Sequence, residues 1–331
     1  MSKITISGYY GFDNFGDEAI LFVLVKNLKK QGHEVTVFSK NPEETAKKYS
    51  VKSKQTFSFG SVLGTLLRTD TLISGGGSLL QDVTSKKSLI YYLFVIFAAE
   101  MMKKNVVIFA QGIGPINNKI LNFLTRKALK KAKYISVRDD KSLFLLRSWG
   151  LSPELVSDPV WSVDVATAKE KEYIGVQLRS WDNLSDSFLA ELARLVVNEF
   201  TDEKIKLFSF QNSIDIPICE KFRKMLFEQN PVLDVEIVQN DSLEKTVYEL
   251  STCKKVAVMR YHALLLALKL GIKPFALCYD IKVQNLAEKY NVPNCLINDV
   301  SALKKEFPKL KLDMQSKTDK EFSFEGINSI L

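Results

Sequence analysis

The stretch Lys255–Lys282, KVAVMRYHALLLALKLGIKPFALCYDIK, contains a β-rich run at Lys255–Met259, a helical period at His262–Leu270 and a second β-rich run at Pro274–Leu277. Two apolar strands joined by a helix form a crossover, which places them parallel in one sheet. The alternation continues in both directions. Upstream lie strand patterns at Tyr173–Leu178, Lys206–Phe210 and Val235–Val238, with helical periods at Asp186–Phe200 and Ser242–Cys253. Downstream come a helix at Val283–Tyr290 and a strand at Cys295–Ile297. The first half follows the same scheme, with strands expected at Ile4–Ser7, Glu34–Phe38, Thr71–Ser74, Val106–Ala110, Tyr134–Val137 and Glu154–Val156. Helical periods there fall at Glu18–Lys30, Ser88–Lys104, Lys119–Lys131 and Lys141–Trp149. The expected fold class is α/β, with two Rossmann-like domains, 1–163 and 173–311, facing a cleft. The polar stretch Val163–Glu172 is the expected boundary, and 312–331 reads as a polar tail or a crossing segment.

A length of 331 residues suits two domains, and 46% hydrophobic residues are ample for two cores, which excludes disorder and collagen-like repeats. Lys and Arg number 46 against 38 Asp and Glu, a net charge of +8 without a polycationic tail. Those cations are dispersed among acids and no nucleic-acid motif is present, so nucleic-acid binding is not expected. The opening MSKITISGYYGF lacks the basic, apolar and cleavage regions of an export signal. Cys219, Cys253, Cys278 and Cys295 fit neither a zinc site nor a redox pair, and are expected to be reduced thiols in a cytoplasmic protein. The most apolar window, Ser88–Met102, is flanked by lysine pairs and interrupted by Glu100, too short an uncharged run to cross a bilayer. It reads first as a buried helix, and second as a surface that meets lipid through apolar residues and lysines.

Ligands of open α/β sheets bind beyond the carboxyl ends of the strands, so the residues just after each strand carry the functional argument. After the first strand comes GYYGFDNFGDE, with Gly8, Gly11 and Gly16 ahead of a helix, but without the GxGxxG dinucleotide fingerprint. Asp17 and Glu18 would repel an anion there; they either complement the helix dipole or, Asp17 in particular, accept from a sugar hydroxyl. Gly75, Gly76 and Gly77 followed by Ser78 read either as a nest of N–H groups or as tight packing. Gln111, Gly112, Gly114 and Pro115 form a second loop. Arg138 and Arg179 each end a strand, with Asp139 near enough to pair with Arg138. Arg260 and His262 sit in a turn squeezed between an apolar strand and an apolar helix, with little other polar company. His33 reads as a solvated turn residue, leaving His262 as the candidate acid or base near neutral pH. Lys282 follows the next strand. Together these cations suit a small polyanion bearing phosphate and carboxylate. No metal-binding pattern competes.

In the order GYYGFDNFGDEAIL, GGGSLLQD, QGIGP, SVRDDKS, SDPV, MRYHALLLAL, these motifs resemble the polysaccharide pyruvyl transferase family, with bacterial enzymes of the CsaB type the nearest likeness. The resemblance spans Gly8 to about Lys282 and implies a GT-B-like fold. It also implies transfer of the pyruvyl group of phosphoenolpyruvate (PEP) to a saccharide, as a ketal, with release of phosphate. PEP is the co-substrate and no cofactor is implied. For the CsaB type the acceptor is a ManNAc-containing, lipid-linked precursor of a secondary cell-wall polymer, and the ketal is read by S-layer homology domains. That places the enzyme in the cytoplasm, at the inner face of the membrane, with peripheral membrane contact. Arg138, His262 and Lys282 fall on the family's PEP-binding and catalytic positions; Asp17 is expected to orient the acceptor hydroxyl. Arg260, Gly75, Gly76, Gly77, Gln111, Gly112, Asn14 and Arg179 are the expected substrate-binding set. The N-terminal domain is expected to be the acceptor side and part of the PEP site, the C-terminal domain the PEP side. Phe15 departs from relatives that carry a small polar residue before GDE. Two rival readings are a GT-B-type glycosyltransferase using a nucleotide sugar and a non-catalytic protein that binds an anionic ligand.

Overall fold

A computed structural model describes residues 1–311 and 322–331, and the chain divides into two compact units. The first comprises Met1–Val163 and returns for 322–331; the second starts at Asp164 and is described to residue 311. Of the segment expected as a tail or crossing, 312–321 lie outside the described residues. Residues 322–331 pack on the first unit: the Phe322 and Phe324 rings sit 5.4 and 6.1 Å from that of Phe109.

The first unit holds strands β1 (Lys3–Ser7), β2 (Glu34–Ser39), β3 (Lys52–Gln55), β4 (Thr71–Ser74), β5 (Asn105–Gln111), β6 (Tyr134–Val137) and β7 (Glu154–Leu155). They form one parallel sheet in the order β3-β2-β1-β4-β5-β6-β7. The second unit holds β8 (Tyr173–Gln177), β9 (Lys204–Phe208), β10 (Val235–Val238), β11 (Cys253–Val258), β12 (Lys273–Cys278) and β13 (Asn294–Leu296), ordered β10-β9-β8-β11-β12-β13. Both orders reverse direction once, between β1 and β4 and between β8 and β11. At such a switch point the loops after the two central strands diverge and leave a crevice for ligand.

The central strands are apolar on both faces because helices cover both, as Ile4, Ile6, Leu72 and Ile73 show in the first unit, all about 1% exposed or less. Three strand positions differ clearly from expectation. β3 reads KSKQ, a mostly exposed edge strand without apolar alternation, and β9 and β11 each start two residues earlier than their apolar patterns indicate. The window Ser88–Met102 is a helix, Lys86–Met101, with Leu89, Leu93 and Ile96 in the core. No helix among the described residues is long and apolar enough to cross a membrane. The four cysteines are buried and unbridged, and burial pushes each thiol up to about 12, so little thiolate forms near neutral pH.

Candidate functional site

In the first unit the loop after β1 is held by the helix that follows it, Phe15–Lys30. Asn14 caps this helix, its side-chain oxygen accepting from Gly16 N–H at 3.2 Å, so the side chain expected to touch substrate is engaged with backbone. Glu18 is buried and accepts from Gly11 N–H at 2.8 Å and from the Tyr49 hydroxyl. Its role is to shape the loop. Gly11 has φ +76°, and a side chain there would run into Ser39 Oγ.

The glycine run after β4 packs tightly at its first two positions. A Cβ on Gly75 would lie 2.1 Å from the Tyr10 hydroxyl, and one on Gly76 2.8 Å from the Ile20 side chain. Gly77 differs: it has φ +86°, and the atom a Cβ would approach is Asp17 Oδ1, at 2.5 Å. Its carbonyl accepts from Gly112 N–H at 2.9 Å, which ties the loops after β4 and β5 together. Gln111 is fully buried; its amide nitrogen donates to Ser74 Oγ and to the carbonyls of Ser74 and Gly75, while its Oε1 has no partner. The Tyr10 hydroxyl and Ser7 Oγ are likewise buried without a partner. Burial, then the charges of Asp17 and Glu18, push the Tyr10 phenol well up, so it stays protonated.

Arg138 emerges after β6, and its partner is not the neighbouring Asp139. Asp139 caps its own helix through Ser142 N–H at 2.8 Å. Arg138 Nη1 donates instead to Asp158 Oδ2 at 2.5 Å, while Asp158 Oδ1 accepts from Val160 N–H at 3.0 Å. The SDPV motif thus supplies a buried counter-charge. Arg138 Nη2 also reaches Ser78 Oγ at 3.4 Å. Asp17 and Arg138 therefore meet the same short loop, one at Gly77 and the other at Ser78.

In the second unit the ends of β8, β11 and β12, three neighbours in the sheet, carry Arg179, Arg260 with His262, and Tyr279 with Lys282. Arg260 has ample polar company, contrary to the sequence expectation. Its Nε and Nη2 donate to Asp215 at 2.8 and 2.6 Å, Nη2 also to Gln211 Oε1 at 3.3 Å, and its backbone N–H to Gln177 Oε1 at 2.8 Å. Asp215 is fully buried in the first turn of the helix Asn212–Gln229, 45 residues upstream of its partner. This bidentate pair anchors the turn that presents Tyr261 and His262, whose rings meet edge-on at 5.2 Å. His262 is half-buried at the start of the helix Tyr261–Lys269; Lys282 is exposed, and its backbone N–H donates to the capping Asp280.

Arg179 stands apart from the other two strand-end arginines. It forms no ion pair among the described residues; its guanidinium carbon lies 5.1 Å from the Trp181 ring centre and 5.6 Å from that of Tyr279, and Nε has no partner. Burial and Asp280 raise the Tyr279 phenol, while the nearby cations Arg179 and Arg260 oppose the shift. Two aromatic rings thus hold a cation in place without neutralising it. Asp215 and Trp181 are the residues that sequence reasoning missed; Asp158, within SDPV, and Tyr279, just after β12, were in view without a role. The signal present was an aromatic residue two positions after Arg179 and another directly after β12. Among the described residues no group of three His, Cys, Asp or Glu side chains is placed to hold a metal ion.

Two Rossmann-like units, each built on a parallel sheet, with cationic groups at the switch point of the second, define a GT-B-like protein, and solved structures agree. The chain is similar to the UDP-GlcNAc 2-epimerase from Methanocaldococcus jannaschii, with a TM-score of 0.69, 12% identity, and 99% of this chain and 98% of that one covered. It is also similar to UDP-GlcNAc 2-epimerase from Neisseria meningitidis bound to UDP-GlcNAc (TM-score 0.63, 11% identity, 94% and 91% covered). A third is Anabaena Alr3699/HepE in complex with UDP-glucose (0.58, 11%, 94% and 92%). At this identity the likeness concerns fold alone. A search of curated proteins found no match. The family model for polysaccharide pyruvyl transferase matches residues 14–281, and the chain belongs to that family. The match takes in Asp17, Arg138, Arg179, Arg260 and His262.

Proposed function

We propose that the protein transfers the pyruvyl group of PEP to two hydroxyls of a saccharide, forming a ketal and releasing inorganic phosphate. The observation that carries this reading is Arg179, a strand-end cation held between Trp181 and Tyr279 with no carboxylate partner, on the strand next to the one that ends in His262. A trianionic substrate needs positive charge that the fold has not already cancelled. In this reading Arg179 supplies that charge, and Lys282, after the neighbouring strand β12, adds a contact to the phosphate or the carboxylate. Arg260, neutralised by Asp215, is a positioning residue for the His262 turn. Arg138 keeps the PEP-binding role that the family resemblance implies, with Asp158 fixing its orientation.

The proton balance assigns His262 its work. One acceptor hydroxyl attacks C2 of PEP and a second displaces phosphate; of the two hydroxyl protons, one ends on the methylene carbon, making it methyl, and the other leaves on phosphate. An imidazole, which can both accept and donate a proton, can relay it to either site. Asp17, beside Gly77, is assigned to the acceptor hydroxyl, which makes the first unit the acceptor side. The ManNAc-containing, lipid-linked acceptor and a place at the inner face of the membrane belong to the same proposal and rest on the likeness to the CsaB type.

The test is phosphate release from PEP with candidate saccharides, with the ketal methyl group followed by proton NMR. His262→Ala should abolish release while leaving the melting temperature unchanged, and Arg179→Ala should raise KM for PEP by roughly 10- to 100-fold, the loss of one or two charge-assisted bonds. Consumption of a nucleotide sugar without PEP would sink the reading, as would PEP binding with no phosphate released for any acceptor.

A further inference from the structure

The helix Lys86–Met101 has an outer side as apolar as its inner one. Ile90 and Met101 are exposed and Phe94 and Phe97 half-buried, at spacings of four, three and four that keep them on one stripe. The helix packed beside it, Phe59–Leu67, exposes Phe59, Leu63 and Leu67, again four apart. Phe59 meets Phe94 edge-on at 4.8 Å, so the two stripes join. Gly60 and Gly64 border the stripe and face open space. On the other flank, the helix Lys119–Leu129 adds exposed Ile120 and Phe123. Apolar groups gathered in this way mark an interaction surface, whereas scattered ones do not.

The charge excess falls in the same stretch of chain. Residues 57–133 contain eleven Lys and Arg against three Asp and Glu, a net of +8, equal to that of the whole chain. The remaining residues are neutral overall. Lys86, Lys87 and Lys103, at the two ends of the apolar helix, and Arg126 and Lys127 on its neighbour are exposed and form no ion pair among the described residues. Of the three acids, Asp82 accepts the backbone N–H groups of Asn117 and Asn118, Asp70 accepts that of Lys3, and the Glu100 carboxyl oxygens are buried.

We propose that this face of the first unit docks on an anionic lipid bilayer, its apolar side chains entering the headgroup boundary and its lysines meeting lipid phosphates. A second copy of the chain would set one cationic rim against another. Nucleic acid would leave the apolar stripe in water. The surface contains none of the strand-end residues assigned to catalysis; the proposal deepens the membrane placement above by naming the face that meets lipid, and vesicle binding tests it separately from pyruvyl transfer.

Vesicle co-sedimentation of the full chain tests the proposal, comparing phosphatidylcholine alone with phosphatidylcholine containing about one-third phosphatidylglycerol. Binding is expected only with the anionic lipid. Lys86→Glu with Lys87→Glu should weaken it at least about 25-fold, taking roughly fivefold per lysine. Leu63→Ser with Leu67→Ser should weaken it roughly tenfold or more, since each leucine loses part of its burial. All four residues are exposed, so circular dichroism melts should match the parent and show the variants folded. No binding to anionic vesicles, equal binding to both lipids, or binding that survives both double variants would overturn the proposal. So would a dimer in sedimentation velocity that Leu63→Ser with Leu67→Ser dissociates, or duplex DNA binding that matches the affinity for vesicles.

Discussion

Replacing Asp215 by Asn tests whether the strand-end turn of the second unit rests on a buried charge pair. Asp215 accepts from Phe210 N–H at 2.9 Å, Gln211 N–H at 3.0 Å, and Arg260 Nε and Nη2 at 2.8 and 2.6 Å. Its side chain is 0% exposed and that of Arg260 7% exposed. Asp215→Asn keeps one acceptor oxygen for the backbone donors, so the neutral hydrogen-bond loss is about 1 kcal/mol. The guanidinium, however, is left buried without a counter-charge, and that costs about 3–5 kcal/mol. The charge effect decides the outcome: differential scanning calorimetry should show a transition lowered by about 10 °C, taking a few degrees per kcal/mol. Adding Arg260→Met removes the stranded cation and should recover about 1–3 kcal/mol of the loss, a coupling that two independent sites would not show. An Asp215→Asn melt within about 2 °C of the parent, or a double variant whose losses simply add, would refute the reasoning.

Three further outcomes follow from groups that the fold buries. Burial raises the Glu100 carboxyl to about 7, against opposing effects from Lys131 and Lys127. The folded chain therefore holds this proton more tightly than the unfolded one, and the Glu100 contribution falls as pH rises from about 4.5 to 7, then levels off. Glu100→Gln should remove that slope and stabilise the protein at pH 8 by about 1 kcal/mol, the figure reduced for solvent screening at a partly exposed group; equal urea midpoints for variant and parent at pH 8 would count against it. Gly75→Ala should destabilise by about 1–3 kcal/mol because its Cβ meets the Tyr10 hydroxyl. Tyr10→Phe should be neutral or stabilising by itself, since its hydroxyl has no partner, and should restore part of the Gly75→Ala loss in a urea titration.

The fold was legible because buried parallel strands are apolar on both faces and the helices between them keep a helical period. β4, β6 and β10 coincide with their expected limits. β3 escaped notice because KSKQ, at an exposed edge, has no apolar residue to betray it. The helix Asn212–Gln229 was hidden by a polar first turn and by Pro217 inside it. That omission had a functional price, because Asp215 lies in that first turn. Without Asp215, Arg260 looked isolated; with it, Arg260 is a structural anchor and Arg179 becomes the strand-end arginine without a carboxylate partner. Which carboxylate meets which arginine is a tertiary fact, 20 residues apart for Arg138 and Asp158 and 45 for Arg260 and Asp215, beyond the reach of local spacing.

The return of 322–331 to the first unit bears on how the chain is made. Phe322 and Ile327 are buried there, Phe322 and Phe324 cover Phe109, and Asn27 Nδ2 donates to Asn328 Oδ1 at 2.9 Å. On a ribosome the first unit's sheet is complete by β7, but its covering segment is synthesised only after the whole second unit, a delay of about 10–30 s at ordinary elongation rates. The second unit, contiguous in sequence, can close before the first is finished. During that interval Phe109 lacks the two rings that shield it, so nascent chains halted before residue 322 should engage chaperones more than chains released in full.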